Sequence, residues 1–344
     1  MGENRSMRIG LAGTGRIGAF HAATLLALPD PPELILADVV PGVADAVAAD
    51  TGATAVGSVD ELLGADLDGF IIATGTDSHA ELLTRAMTVG VPTFCEKPVA
   101  RTVPEAIGLA RLERQTRVPV HIGFQRRFDA GYQRAREAVR AGELGELHQV
   151  RCSTHDQHPP TAAYVLTSGG IFRDCSVHDF DAVRFVTGRE VVEVYATGGS
   201  RGEAYFADAD DYSTGAAVLT LDDGTVVLVS AMRYNGAGHD VRMELHGSDG
   251  ALAVGFDDSY SFRSAEPGVP DPAGPAHTIF MDRFTQAYIS ELTAFFALVR
   301  GEILSPCTIS DGLQALRIAD ACDLSRRERR PVALSEIPDL AASG

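Results

Sequence analysis

Apolar positions in the first third of the chain switch repeatedly between two spacings. Met7, Ile9 and Leu11 alternate with small or polar residues and predict a short buried strand. From Arg16 to Leu28 the residues Ile17, Phe20, Leu25 and Leu28 fit a helix, which Asp30-Pro31-Pro32 ends. The pattern goes on to predict strands over 34–37, 53–56, 68–73, 92–95 and 118–122, and helices over 43–50, 60–63, 81–89 and 104–114. Strands alternating with helices build a parallel, doubly wound sheet that binds ligands beyond the carboxyl ends of its strands. The loops starting at Gly13, Thr74 and Glu96 are expected to converge there.

After Gly123 the pattern changes. A basic, amphipathic helix over 129–141 serves as a connector. Strand candidates follow at 148–154, 191–197, 212–221, 225–232, 241–247 and 251–254, with hairpin turns at Asp222-Asp223-Gly224 and Ser248-Asp249-Gly250. They predict an antiparallel sheet and hence an α+β second domain. Residues 266–274 read as a surface loop, 284–300 as a long helix striped by Tyr288, Leu292, Phe295 and Val299, and 312–325 as the last helix. The expected class is α/β. A Rossmann domain with a doubly wound parallel sheet covers 1–123, and an α+β domain with an open, mostly antiparallel sheet covers 124–344, its C-terminal helix able to pack back near the first.

The first strand runs into Gly13, Gly15 and Gly18 at the spacing G-x-G-x-x-G, with Arg16 and Ile17 between the last two. Gly13 allows a tight turn, Gly15 a close backbone approach to a pyrophosphate, and Gly18 close helix–strand packing. The helix start offers free N–H groups to phosphates. Asp38 ends the second strand about 20 residues beyond the last glycine, where a carboxylate accepts from a ribose 2′-OH. No Arg or Lys follows it to neutralise a 2′-phosphate, so NAD is favoured over NADP.

A length of 344 residues makes two domains the natural division. The formal net charge of -18 argues against nucleic acid and anionic membranes as partners. Five scattered cysteines without C-x-x-C indicate a reducing compartment rather than a disulfide framework or zinc site. Met1–Ser6 is a short polar leader without an apolar core, and no apolar run reaches membrane-spanning length. A cytoplasmic location is expected.

Lys97, in Glu96-Lys97-Pro98, stands at a strand end where it could hydrogen-bond a substrate oxygen and stabilise developing negative charge; the alternative is a surface lysine in a turn. Asp174 and His178 are four apart, which places both on one face of a helix if the helix includes Asp174. A carboxylate beside an imidazole orients it and raises its basicity for removing a hydroxyl proton. The alternative is an N-capping Asp and a structural His. Asp179 and Asp181 are expected as exposed helix carboxylates, with Asp179 a second candidate to orient His178. His155, Asp156 and His158 match no zinc spacing, so no metal is expected. Tyr234 and Asn235 end a strand and could reach a polyol. Cys95 and Cys175 are expected as small buried hydrophobes.

Taken together, G-T-G-R-I-G, E-K-P at 96–98, G-F-Q-R-R-F-D at 123–129 and D-x-x-x-H at Asp174 and His178 resemble the Gfo/Idh/MocA oxidoreductase family, nearest its myo-inositol 2-dehydrogenase branch. The likeness spans nearly the whole chain. It implies a catalytic set of Lys97, Asp174 and His178, in which His178 takes the hydroxyl proton, Asp174 supports it and Lys97 holds the same oxygen. It implies cofactor contacts from Asp38, Thr74, His79, Glu96 and Gln125 and substrate contacts from Arg127, His155 and Tyr234. It also implies assembly through the open sheet as a homo-oligomer, tetramer or dimer. Gly75 stands where many relatives have Pro, and His155–Pro160 is less typical, which bears on substrate identity. The implied activity is NAD-dependent oxidation of a secondary hydroxyl of a cyclic polyol to a ketone, with inositol first and a pyranose sugar as the alternative. Competing readings are a non-catalytic NAD-binding sensor or scaffold and a hydrolase or lyase that uses NAD transiently.

Overall fold

The computed structural model describes residues 6–340. The polar leader lies outside these residues except for Ser6. The chain divides into two compact units, one built from residues 6–125, 288–313 and 340, the other from 126–287 and 314–339.

In the first unit the chain runs β1 (Arg8–Ala12), α1 (Arg16–Leu26), β2 (Glu33–Ala37), α2 (Val43–Thr51), β3 (Thr54–Ala55), α3 (Val59–Leu63), β4 (Gly69–Ile72), α4 (His79–Val89), β5 (Thr93–Glu96), α5 (Val103–Thr116) and β6 (Val120–Gly123). The six strands form one parallel sheet in the order β3-β2-β1-β4-β5-β6. Strand order reverses between β1 and β4, and the glycine turn follows β1 at that switch point. Phe70, Ile71 and Ile72 of β4 are fully buried, as the near-continuous apolar strands of a sheet covered on both faces require. Helix α5 starts sharply because Thr102 and Glu105 cap each other's backbone N–H groups.

Where the sequence points to a single cut after residue 123, residues 288–313 return to this unit. Leu292, Phe295, Phe296 and Leu298 join Ile9, Leu11, Ile71 and Phe94 in its core. Glu291 meets His121 at 3.4 Å with both side chains fully buried, and the Ile122 N–H donates to the Cys307 carbonyl.

The second unit contains α6 (Ala130–Arg140), β7 (Leu147–His155), α7 (Ala162–Ser168), α8 (Val177–Thr187), β8 (Val191–Gly199), α9 (Tyr205–Asp208), β9 (Thr214–Leu221), β10 (Val226–Met232), β11 (Asp240–Gly247) and β12 (Ala251–Val254). Helix α10 (Phe280–Val299) leads out of it, and α11 (Ile309–Glu328) leads back to β13 (Val332–Ala333). The sheet order is β12-β11-β7-β10-β9-β8-β13. It is mixed rather than wholly antiparallel. The β8-β9-β10 meander ends with β10 beside β7 and running the same way, while the other pairs are antiparallel.

Two helices begin three or more residues ahead of their expected starts. Helix α10 begins at Phe280 and is broken at Phe284, whose φ of -113° and ψ of 17° are not helical. Helix α11 begins three residues early because Thr308 and Asp311 exchange side-chain bonds to each other's N–H.

Candidate active site

The nucleotide end of the first unit is shaped by its glycines. Gly13 has φ +88°, and a Cβ there would lie 2.6 Å from the Thr74 nitrogen. A Cβ on Gly18 would lie 1.8 Å from the Gly13 carbonyl oxygen, so helix and turn can touch only through glycine. A Cβ on Gly15 would meet nothing within 4 Å. Gly15 and Arg16 are exposed and Ile17 half-buried, so the first N–H groups of α1 face an open approach. Asp38 directly follows β2 and is drawn onto this turn. Its Oδ2 accepts from the Thr14 N–H at 2.7 Å and the Thr14 hydroxyl at 3.1 Å, and its Oδ1 from the Val40 N–H at 2.9 Å. The adjacent Val39 and Val40 are exposed and uncharged. Open backbone at Gly15, donors at the helix start and a carboxylate at the end of β2 fit a dinucleotide with a free ribose 2′-OH.

Lys97 follows β5 in a loop gripped from two sides. His21, fully buried on α1, donates from Nε2 to Oε1 of Glu96 at 2.6 Å. The other Glu96 oxygen accepts from the Lys97 N–H at 3.3 Å. On the far side, His79 places Nδ1 2.8 Å from the Pro98 carbonyl and Nε2 3.2 Å from the Thr74 carbonyl. Burial pushes the His79 imidazole below its ordinary value, against the pull of those carbonyls. Glu96 and His79 therefore hold the Thr74 and Lys97 loops in place. Thr74 itself bonds Ser78, and Gln125 is buried at the end of the unit's β6.

The second unit gathers its polar side chains where β7 and β10 end and β11 begins, since His155 pairs with both Met232 and Asp240. Asp174 lies in a wide, π-type turn over Phe172–Ser176 that leads directly into α8, which carries His178. It is not the N-cap of that helix. Its Oδ1 accepts from the Tyr164 hydroxyl at 2.8 Å, and its Oδ2 meets Arg233 at 2.7 Å. The same Arg233 nitrogen reaches Asp156 at 3.5 Å, and His239 meets the other Asp156 oxygen at 3.4 Å. Burial works to raise the Asp156 carboxyl, but the His239 bond and the Arg233 charge outweigh it and hold it below its ordinary value. His155 bonds Ser230 at 3.0 Å, and burial pushes its imidazole down. The Tyr234 hydroxyl accepts from the Glu203 N–H at 3.0 Å, and Asn235 donates to Ser261. Among the described residues no group of three or more His, Cys, Asp or Glu is placed to hold a metal ion. Cys95 and Cys175 are buried and belong to no disulfide.

Asp179 and Asp181 correct the sequence reading. Neither is exposed: both are fully buried. Asp179 accepts from Arg126 at 2.6 Å and from the Thr154 hydroxyl at 2.9 Å. Asp181 takes a two-pronged grip from Arg127 at 2.9 and 2.6 Å. Burial raises the Asp179 carboxyl against the charge of Arg126. Buried carboxylates persist only when paired in this way. Within its unit Arg127 thus braces α8, with Phe185 beneath its guanidinium. Asp179 is likewise held by Arg126 and Thr154.

Sequence reasoning overlooked His21, Tyr164, Arg233 and His239. Only Arg233 carried a readable signal. Val227, Val229, Ala231 and Arg233 keep to one buried face of β10 and its continuation, and an inward arginine demands a counter-charge.

Residues 7–124 match the family model described as "Oxidoreductase family, NAD-binding Rossmann fold", and residues 132–253 match that of the "GFO/IDH/MocA C-terminal domain". Fold and site thus define an NAD-dependent oxidoreductase acting on CH–OH groups. The chain is 35% identical over 333 residues to an inositol 2-dehydrogenase of Rhizobium meliloti, covering 96% of this chain and 100% of the relative. It is 38% identical over 322 residues to the myo-inositol dehydrogenase Hyg17 of Streptomyces leeuwenhoekii, covering 93% and 97%. Among solved structures, scyllo-inositol dehydrogenase from Lactobacillus casei with bound NAD(H) and scyllo-inositol superposes with a TM-score of 0.86 at 27% identity, covering 96% of this chain and 100% of that one. The chain belongs to the Gfo/Idh/MocA oxidoreductase family.

Proposed function

We propose that this oxidoreductase is an inositol 2-dehydrogenase-like enzyme that oxidises one secondary hydroxyl of a cyclic polyol to a ketone. Bound NAD supplies the hydride acceptor for the carbinol carbon. His178 accepts the hydroxyl proton as general base, and Asp174 stabilises the imidazolium that results. The Lys97 ammonium holds the same oxygen while negative charge grows on it. His155, Tyr234 and Arg127, the last held by Asp181, contact the remaining ring hydroxyls. Arg16, Ile17 and the glycine turn hold the pyrophosphate, Asp38 the ribose, and Thr74 and Gln125 the nicotinamide side. The protein works in the cytoplasm as a homo-oligomer, a tetramer or a dimer.

The observation that carries this reading is Asp174 itself, a carboxylate fixed by Tyr164 and Arg233 at the entrance to the helix that carries His178. The names of the relatives supply the polyol. NADH formation with a panel of inositols and pyranose sugars tests it. Turnover of an inositol above all sugars is expected; turnover of sugars alone would move the substrate class, and silence on every polyol with both NAD and NADP would overturn the assignment.

A further inference from the structure

Arg233 is an arginine in an unusual position. Its side chain is 2% exposed, and it continues the inward face of β10. One nitrogen, NH1, carries two ion pairs, to Asp174 at 2.7 Å and to Asp156 at 3.5 Å. Its Nε and NH2 are buried with no hydrogen-bond partner among the described residues. Leaving donors buried and idle costs folding free energy, so stability alone does not explain an arginine here. What the guanidinium supplies is a fixed positive charge between two carboxylates.

We infer that Arg233 is the positioning residue of the Asp174–His178 pair: it keeps Asp174 ionised and fixed in one orientation so that the carboxylate can serve His178. This rests on the reading of His178 as general base. Several charged or titratable groups surround Asp174 within its unit. Tyr164 of α7 donates to it, Arg233 beyond β10 pairs with it, and Cys175 and His178 share its segment. Asp156 beyond β7 faces it across the Arg233 charge, and His239 before β11 holds Asp156 from behind. Asp211, which accepts from the Ile171 and Tyr212 N–H groups, also lies within the field of Arg233. Arg173 beside it pairs with Asp320. Arg233 is thus a cation that Asp156 and Asp174 share. Without it, two neighbouring carboxylates lose a shared positive charge and repel each other, which raises their affinity for a proton. A protonated Asp174 no longer supports a positive imidazole, so activity waits on its ionisation and the acid limb follows the raised carboxyl upward.

The test is the pH dependence of kcat/KM for the best polyol in Arg233→Gln, Arg233→Lys and the double variant Arg233→Gln/Asp156→Asn. Arg233→Gln is expected to lower kcat at least tenfold, leave the NAD dissociation constant within about twofold, and displace the acid limb upward by about one pH unit or more. Arg233→Lys, which keeps the charge, restores most of the profile. The double variant, which removes one of the two carboxylates, moves the acid limb back even if Arg233→Gln alone is too unstable to assay. An unmoved acid limb in Arg233→Gln, or a double variant as displaced as the single one, overturns the inference. Asp174→Asn and His178→Ala are run alongside. Full activity in either overturns the underlying mechanism, whereas their inactivity combined with an unmoved Arg233→Gln profile overturns only the role of Arg233.

Discussion

His21 of the glycine-fingerprint helix donates to Glu96 of the lysine loop across 2.6 Å, inside the core of the first unit. The helix that opens at the glycine turn is therefore bonded to the residue immediately before Lys97. His21→Ala leaves a buried carboxylate oxygen without its partner and is expected to cost about 1–3 kcal/mol of stability. It also frees the Lys97 backbone, so kcat falls further than NAD affinity. His21→Gln, which keeps a donor near the same place, recovers part of both. Denaturation midpoints, kcat and NAD titration check this; a His21→Ala protein with unchanged kcat contradicts it.

The fingerprint glycines separate binding from folding. A methyl on Gly15 meets no protein atom within 4 Å, but in the proposed site it occupies the approach of a pyrophosphate. Gly15→Ala is expected to fold with wild-type stability and to weaken NAD binding by about tenfold or more. A methyl on Gly18 falls 1.8 Å from the Gly13 carbonyl oxygen. Gly18→Ala therefore loses about 2 kcal/mol or more of stability, as overpacking against rigid backbone does. Paired unfolding and NAD-binding curves distinguish the two.

Glu113 gives the first unit a pH-dependent term. Burial, with Asp311 nearby, pushes its carboxyl up to about 7. A folded-state value raised above the unfolded one favours the protonated form, so its contribution is complete below the unfolded value and is lost as pH rises through about 7. Between about pH 4.5 and 7 this amounts to about 2 kcal/mol, allowing for solvent screening of a partly exposed group. Glu113→Gln is expected to flatten stability over that window, read as urea midpoints at its two ends.

The first sheet was legible because each strand and helix announces itself locally. Met7–Leu11 alternates, β4 is a short apolar run, and the glycines and Asp38 fall at fixed spacings in one βαβ unit. The strands of the second sheet were legible for the same reason, but the direction of β10 was not. Which neighbour a strand chooses depends on long-range packing, and β10 pairs in parallel with a strand 77 residues earlier. Asp179 and Asp181 were misread as solvated because their partners, Arg126 and Arg127, lie 53 and 54 residues away. The support of Asp174 was hidden likewise, for Tyr164 and Arg233 belong to other elements. Of the proposed catalytic set, the residue types and spacings could be read from the chain, whereas the side chains that hold them could not.

The most direct measurement is single-turnover NADH formation by wild type, Lys97→Ala and His178→Ala on the polyol that the wild type turns over best. Each variant is expected to bind NAD as the wild type does and to form NADH at least about a hundredfold more slowly, the loss typical of removing an acid–base or oxygen-holding group. Wild-type NADH formation by either variant would contradict the proposed chemistry.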